Sequence, residues 1–153
     1  MTSPDKPNPT VILHLTDLHF GWEGGENAPT LIAQRTNCLN ALLESLKKLA
    51  TDNSNSQWKP DIVAITGDLG WKGAAADYAA LKKWLDPLLK TLGLKYSDVV
   101  VCPGNHDIER ESAEPIGRPD NSTNADKWLK VPVPKSYLET FSAYSAFCKT
   151  AKI

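Results

Sequence analysis

The sequence predicts an α/β fold built on a mainly parallel sheet with flanking helices, and three observations carry that prediction. Short β-branched, apolar runs recur at residues 11–16, 61–66 and 98–102. Two stretches with leucines at helical spacing separate them, at 31–50 and 74–92. Each apolar run ends directly in a polar cluster, and the first two clusters hold an acidic residue at or next to a glycine-containing turn. Strand, helix, strand, helix, strand at this spacing means consecutive βαβ units, and hence parallel strands.

Val11-Ile12-Leu13-His14-Leu15-Thr16 is continuous enough in apolar character to predict a strand buried on both faces. Residues 17–30 hold Gly21, Gly24, Gly25 and Pro29 and form a loop. Leu31, Cys38, Leu39, Leu42, Leu43, Leu46 and Leu49 then define a helix over 31–50. A polar connection leads into the second strand, 61–66, which ends in Gly67-Asp68. The second helix, 74–92, gathers Tyr78, Leu81, Leu85, Leu88, Leu89 and Leu92 on one face, and Pro87 inside it predicts a kink or break near residues 83–86. Gly93 is its C-cap. The third strand, 98–102, stops at Pro103-Gly104-Asn105-His106-Asp107. Residues 108–135 show no period and are expected to be loop, whereas Tyr137, Leu138, Phe141, Tyr144, Phe147 and Cys148 predict a helix over 136–149, with Ser136 as N-cap and Glu139 three residues on. Residues 1–10 are polar and are expected to be disordered or extended ahead of a domain spanning 11–153.

With 153 residues, 41% hydrophobic and 23% charged, the composition is that of a globular chain. Seventeen basic against 18 acidic residues give a net charge of −1, so nucleic-acid binding by bulk charge is not indicated. No apolar run approaches the ~20 residues of a membrane helix, and the N-terminus lacks the apolar core of a secretory signal. Cys38, Cys102 and Cys148 form no CxxC spacing, which argues against a disulfide framework or a zinc ribbon. The expectation is a cytoplasmic protein with reduced thiols, no membrane partner, and Cys102 in the core.

Parallel strands bring their C-terminal ends to one edge, where ligands bind in such sheets. Asp17 and His19 follow the first strand, Asp68 the second, and Asn105, His106 and Asp107 the third. Two residues apart, Asp17 and His19 would point the same way from an extended backbone, with Leu18 facing the packed side. A carboxylate beside a neutral imidazole suits a transition metal such as Mn, Fe or Zn, whereas Mg and Ca prefer oxygen alone. Asp68 has two oxygens with which to bridge two cations, Asn105 offers an amide oxygen, and Asp107 could accept the ring proton of His106. Individually these residues have blander uses, as turn caps or an N-cap. Together they describe a metal site.

The segments Ile12-Leu13-His14-Leu15-Thr16-Asp17-Leu18-His19, Asp61-Ile62-Val63-Ala64-Ile65-Thr66-Gly67-Asp68-Leu69 and Val101-Cys102-Pro103-Gly104-Asn105-His106-Asp107 resemble the first three motifs of the calcineurin-like metallophosphoesterases. Gly73, Asp77-Tyr78 and Arg110 resemble the bacterial members, and the likeness runs from Val11 to about Arg110. It implies half of an αββα sandwich, here the βαβαβ half, and hydrolysis of phosphomonoesters or phosphodiesters by a dinuclear centre. It further implies Asp17 and His19 on the first metal, Asp68 bridging, Asn105 on the second, and His106 protonating the leaving oxygen with Asp107 orienting it. The expected cofactors are two divalent ions (Mn, Fe, Zn or Ni), about 3.5–4 Å apart, activating water and neutralising phosphoryl charge.

The family's second half adds a further metal-binding histidine and a G-H-x-H motif. This chain contains only His14, His19 and His106, and His14 alternates to the face opposite Asp17 and His19, as a hydrogen-bonded core histidine. The first metal therefore lacks one imidazole and the second lacks two. The expectation is that the 153 residues alone bind at most one metal, weakly, and are nearly inactive, with the third strand or the sheet face beyond it exposed. Three arrangements fit: part of a longer enzyme, one half of a split enzyme completed by a partner chain, or a non-catalytic scaffold relative. Retention of every first-half ligand favours the first over the last. The substrate is a phosphoester, with nucleic acid as one candidate and a nuclease as the variant activity. Gly21-Trp22-Glu23-Gly24-Gly25 lacks the G-K-[ST] of a P-loop. Trp22 and Trp71 are expected to be buried rather than stacked on a ligand, and Arg110 to pair with Glu109 and Glu111.

Overall fold

The computed structural model describes residues 10–22, 28–52, 58–113, 121–124, 127 and 135–153. Three strands, β1 (Ile12–Thr16), β2 (Ile62–Thr66) and β3 (Val99–Cys102), form a parallel sheet in the order β1-β2-β3. Helices α1 (Ala28–Thr51) and α2 (Ala75–Leu92) make the two crossovers. The short helix α3 (Arg110–Ala113) follows β3, and α4 (Lys135–Glu139) and α5 (Ser142–Ala151) end the chain. The parallel pairing and both crossover helices are as the apolar periodicity requires. The expectations for residues 1–9 and for Glu23, Gly24 and Gly25 lie outside the described residues.

The register pairs Leu13 with Val63 and Val63 with Val99, and Leu15 with Ile65 and Ile65 with Val101. These six side chains share one face and pack into a core with Leu43, Leu46, Leu81, Leu85, Leu88, Leu92 and Phe147. The opposite face is uncovered among the described residues. Val100 is 60% exposed and Ile12 55%, and His14, Thr16, Thr66 and Cys102 are exposed beside them. Burial of β1 on both faces, and core positions for Cys102 and His14, are thereby corrected. A continuous apolar run fits a doubly covered strand, yet coverage depends on a second layer that a single strand's sequence does not report. His14 is hydrogen-bonded as expected, through Nε2 to Thr66 Oγ1 at 2.6 Å.

Helix α2 runs unbroken through Pro87. Pro87 and Lys83, whose carbonyl loses its partner, are both exposed, so water can satisfy that carbonyl. Trp84, Leu85, Leu88 and Leu89 are buried on the other side and hold both halves to the core. Tertiary packing overrides the local cost. Pro87→Ala is accordingly expected to stabilise the protein by about 2 kcal/mol, the ~3 kcal/mol helix penalty of proline less the entropy it removes from the unfolded chain. An unchanged or lower urea midpoint would refute this. Gly93 closes α2 in the left-handed conformation, φ 70°, as predicted.

The single C-terminal helix expected over 136–149 is two helices with a turn at Thr140-Phe141. Thr140 is buried, and its carbonyl accepts the Glu109 amide at 2.9 Å instead of a helical partner. Helix α5 then packs on α2, where Phe147 stacks on Tyr78 with ring centroids 5.6 Å apart. The stretch expected to be loop after residue 108 begins with the short helix α3.

Candidate metal centre

β2 is the central strand, so whatever ends it lies between what ends β1 and what ends β3. Asp68 therefore stands between Asp17 and His19 on one side and Asn105 and His106 on the other. Beyond the regular strands, pairing continues as the amides of Asp17, His19 and Phe20 donate to the carbonyls of Gly67, Asp68 and Leu69 at 3.2, 2.8 and 2.9 Å. This pairing runs through strained backbone. Asp17, His19 and Asp68 have φ of 55°, 45° and 50°, and Lys152, a helix cap, is the only other non-glycine with positive φ among the described residues. Such conformations cost ~1–3 kcal/mol each and collect at functional sites. Asp17 and His19 thus share a side because both residues turn left-handed, and not because the backbone is extended; Leu18 between them is buried as expected.

Donor atoms of His19, Asp68 and His106 lie within 4.8 Å of one another. His19 Nε2 is 3.9 Å from Asp17 Oδ1 and 3.8 Å from Asp68 Oδ2. These gaps are too wide for hydrogen bonds, yet narrow enough for donors sharing a cation with bonds of about 2.0–2.2 Å. His19 Nδ1 is buried without a partner, so neither ring nitrogen of His19 makes a hydrogen bond among the described residues. Two carboxylates and two imidazoles converge there, and no lysine or arginine neutralises Asp17 or Asp68 among the described residues. This donor set fits a divalent transition metal. Asn105 opens the 3-10 turn Asn105–Asp107 and is exposed. Gly104 before it is required by close approach, since a Cβ there would lie 2.2 Å from Asp68 Oδ1 and 2.4 Å from Asp68 N.

His106 is anchored at three points. Its amide donates to Asp68 Oδ1 at 2.9 Å, its Nδ1 lies 3.0 Å from the Trp71 carbonyl, and its ring stacks on the Trp71 indole at 4.2 Å and 14°. A carbonyl only accepts, so Nδ1 carries the proton and Nε2 is the free nitrogen. Arg110 Nη2 is 3.3 Å from the same Nδ1 and its guanidinium carbon 5.8 Å from the Trp71 ring. Two donors cannot bond each other, and the shorter carbonyl contact identifies the hydrogen bond. Arg110 lies against the stack and makes no ion pair with Glu109, contrary to that part of the pairing expected of it, while the Glu111 side chain lies outside those described.

Asp107 does not reach the His106 ring. It is 0% exposed and accepts the amides of Leu69, Gly70 and Gly104 at 3.0, 2.7 and 2.8 Å, and the Tyr78 hydroxyl at 3.0 Å. Burial, with the charge of Asp107 beside it, pushes the Tyr78 hydroxyl far above its ordinary pKa, so it stays a donor. Asp77 plays a parallel part that sequence reasoning missed. It is buried and its Oδ2 accepts the amides of Trp71, Lys72 and Ala74 at 3.1, 2.8 and 3.3 Å. The available signal was an acid at the third position of a helix whose cap, Ala74, has no side-chain acceptor. Trp22 and Trp71 are half-buried, and the two rings meet edge to face at 6.4 Å.

A family profile described as calcineurin-like phosphoesterase matches residues 10–149. The metallophosphoesterase-like protein YydB of Bacillus subtilis is 27% identical over 127 residues, covering 83% of this chain and 22% of its own length. A cAMP/cGMP dual specificity phosphodiesterase of Mycobacterium tuberculosis is 31% identical over 112 residues, covering 72% of this chain and 31% of its own length. The chain thus spans between a fifth and a third of these two relatives. No described helix is long and apolar enough to cross a membrane.

Proposed function

This chain belongs to the calcineurin-like phosphoesterase family, and from that premise we propose that it supplies the first half of a dinuclear metal centre that hydrolyses phosphoesters, with phosphodiesters as the main class. One observation carries the proposal: donors from three strand ends, on His19, Asp68 and His106, converge within 4.8 Å. Asp17, His19 and Asp68 would hold a first ion, and Asp68 with Asn105 a second. Divalent ions bound there supply Lewis-acid stabilisation of the phosphoryl oxygens and a water nucleophile at neutral pH. Mixed imidazole and carboxylate donors suit Mn, Fe, Zn or Ni.

The remaining chemistry belongs to the chain. His106, with Nδ1–H tied to the Trp71 carbonyl, acts as a general acid when Nε2 also carries a proton, which passes to the leaving oxygen and leaves the neutral Nδ1–H ring. The buried carboxylates of Asp107 and Asp77 hold the loop that carries Asp68 and Trp71. The diester preference is supported by the relative named as a cyclic-nucleotide phosphodiesterase. Hydrolysis of bis(p-nitrophenyl) phosphate by the protein expressed from its natural reading frame, dependent on added Mn²⁺ and abolished by chelation, is the expected result. Equal rates with and without chelator would sink the proposal.

The imidazoles completing both coordination spheres are proposed to come from outside these 153 residues, from the same polypeptide or a partner chain. His19 and His106 are already at the site, and His14 lies on the open face against Thr66. That open face, with Val100 and Ile12 exposed, also supports a second layer from elsewhere. The 153 residues alone are therefore expected to hold at most one ion, weakly, and to show little activity. Metal analysis after gel filtration finding two ions retained per chain would overturn this.

A further inference from the structure

We propose that Trp71 is the positioning residue for His106, fixing both the plane of the imidazole and the nitrogen that bears its resident proton. The inference rests on the phosphoesterase function proposed above. An imidazole on a side chain with two rotatable bonds needs two independent restraints to present one nitrogen reproducibly. Trp71 provides both, with its carbonyl 3.0 Å from Nδ1 and its indole stacked at 4.2 Å and 14°.

Trp71 is itself held from behind. Its amide donates to the Phe20 carbonyl at 2.9 Å and to Asp77 Oδ2 at 3.1 Å. Its carbonyl position is thus set by the strand ends and by a buried carboxylate at the start of α2. The indole makes a poor candidate for a purely packing role. Trp84 is buried in the hydrophobic core, whereas Trp71 is half-buried and outside it. Among the described residues, the aromatic and cation-π contacts of the Trp71 ring lie in or beside the metal centre: His106, His19 at 5.2 Å and 82°, Trp22, and the Arg110 guanidinium. The residue otherwise suited to orient His106, Asp107, is committed to three amides and a hydroxyl.

The test uses the protein expressed from its natural reading frame, with Mn²⁺, and a series of methyl aryl phosphodiesters whose leaving phenols run from p-nitrophenol to phenol. Protonation of the leaving oxygen matters little for the first and much for the last. Trp71→Ala is expected to lower kcat on the phenyl ester by about tenfold or more beyond its effect on the p-nitrophenyl ester, with KM little changed, because small misplacements of an acid are costly. Trp71→Phe, which keeps an aromatic face, is expected to restore most of the wild-type ratio. Metal content per chain should be the same in all three proteins. Equal losses on both esters, a loss of bound metal in Trp71→Ala, or no rescue by phenylalanine would each overturn the assignment, as would a wild type already as steep across the series as Trp71→Ala. A wild type that cleaves no ester would overturn the proposed function itself, and the inference with it.

Discussion

Asp107→Ala is expected to destabilise the protein strongly, by about 4 kcal/mol or more. The carboxylate is 0% exposed and is the acceptor for three main-chain amides and the Tyr78 hydroxyl. Each buried donor left without a partner costs ~1–3 kcal/mol, and bonds to a charged acceptor lie toward the upper end. Even if water reaches one of the four, a loss of about 4 kcal/mol or more remains, a large part of the ~5–15 kcal/mol that stabilises a typical domain. Asp107→Asn should be milder: it keeps one acceptor oxygen, but turns an NH₂ group toward donors. The order wild type, Asn, Ala in urea midpoint is the expected outcome. An alanine variant within about 1 kcal/mol of wild type would show that the four donors are satisfied elsewhere.

The same residue marks the boundary of what the sequence makes legible. Alternation of apolar strands and helices dictates the parallel sheet, and strand order then brings Asp17, His19, Asp68, Asn105 and His106 to one edge. Those inferences need only local periodicity and a topological rule. What a carboxylate binds across 37 or 38 residues of chain is a different matter. Asp107 reads as a partner for its neighbour His106 because adjacency is all that a linear sequence displays, whereas its acceptors face the loop after β2. Thr140 ends a helix early because the Glu109 amide claims its carbonyl. Pro87 sits within an intact helix because its buried neighbours outweigh it. In each case a tertiary contact decides against a local preference. The left-handed backbone at Asp17, His19 and Asp68 belongs to the same class: Asp and His tolerate it better than most residues, but only the pairing of the strand ends imposes it.

That backbone determines how the central ligand is best tested. Asp68→Asn is expected to lower phosphodiester hydrolysis by roughly three orders of magnitude and to reduce bound metal, while changing stability by less than ~1 kcal/mol. Asparagine accepts the left-handed conformation at φ 50° and retains an oxygen for the His106 amide, now 2.9 Å from Oδ1. What it removes is the negative charge and the second oxygen, which faces His19 Nε2 at 3.8 Å. Asp68→Ala would remove these too, but it would also place alanine at positive φ and orphan the His106 amide, mixing a folding defect with a chemical one. A neutral amide cannot serve two cations as a carboxylate does, and several kcal/mol of transition-state charge stabilisation correspond to about a thousandfold in rate. Asp17→Asn, at an exposed outer position, touches one ion and should cost less. An Asp68→Asn protein retaining more than a tenth of wild-type activity, with its metal content intact, would remove Asp68 from the centre of the site and leave the strand-order explanation for its role without support.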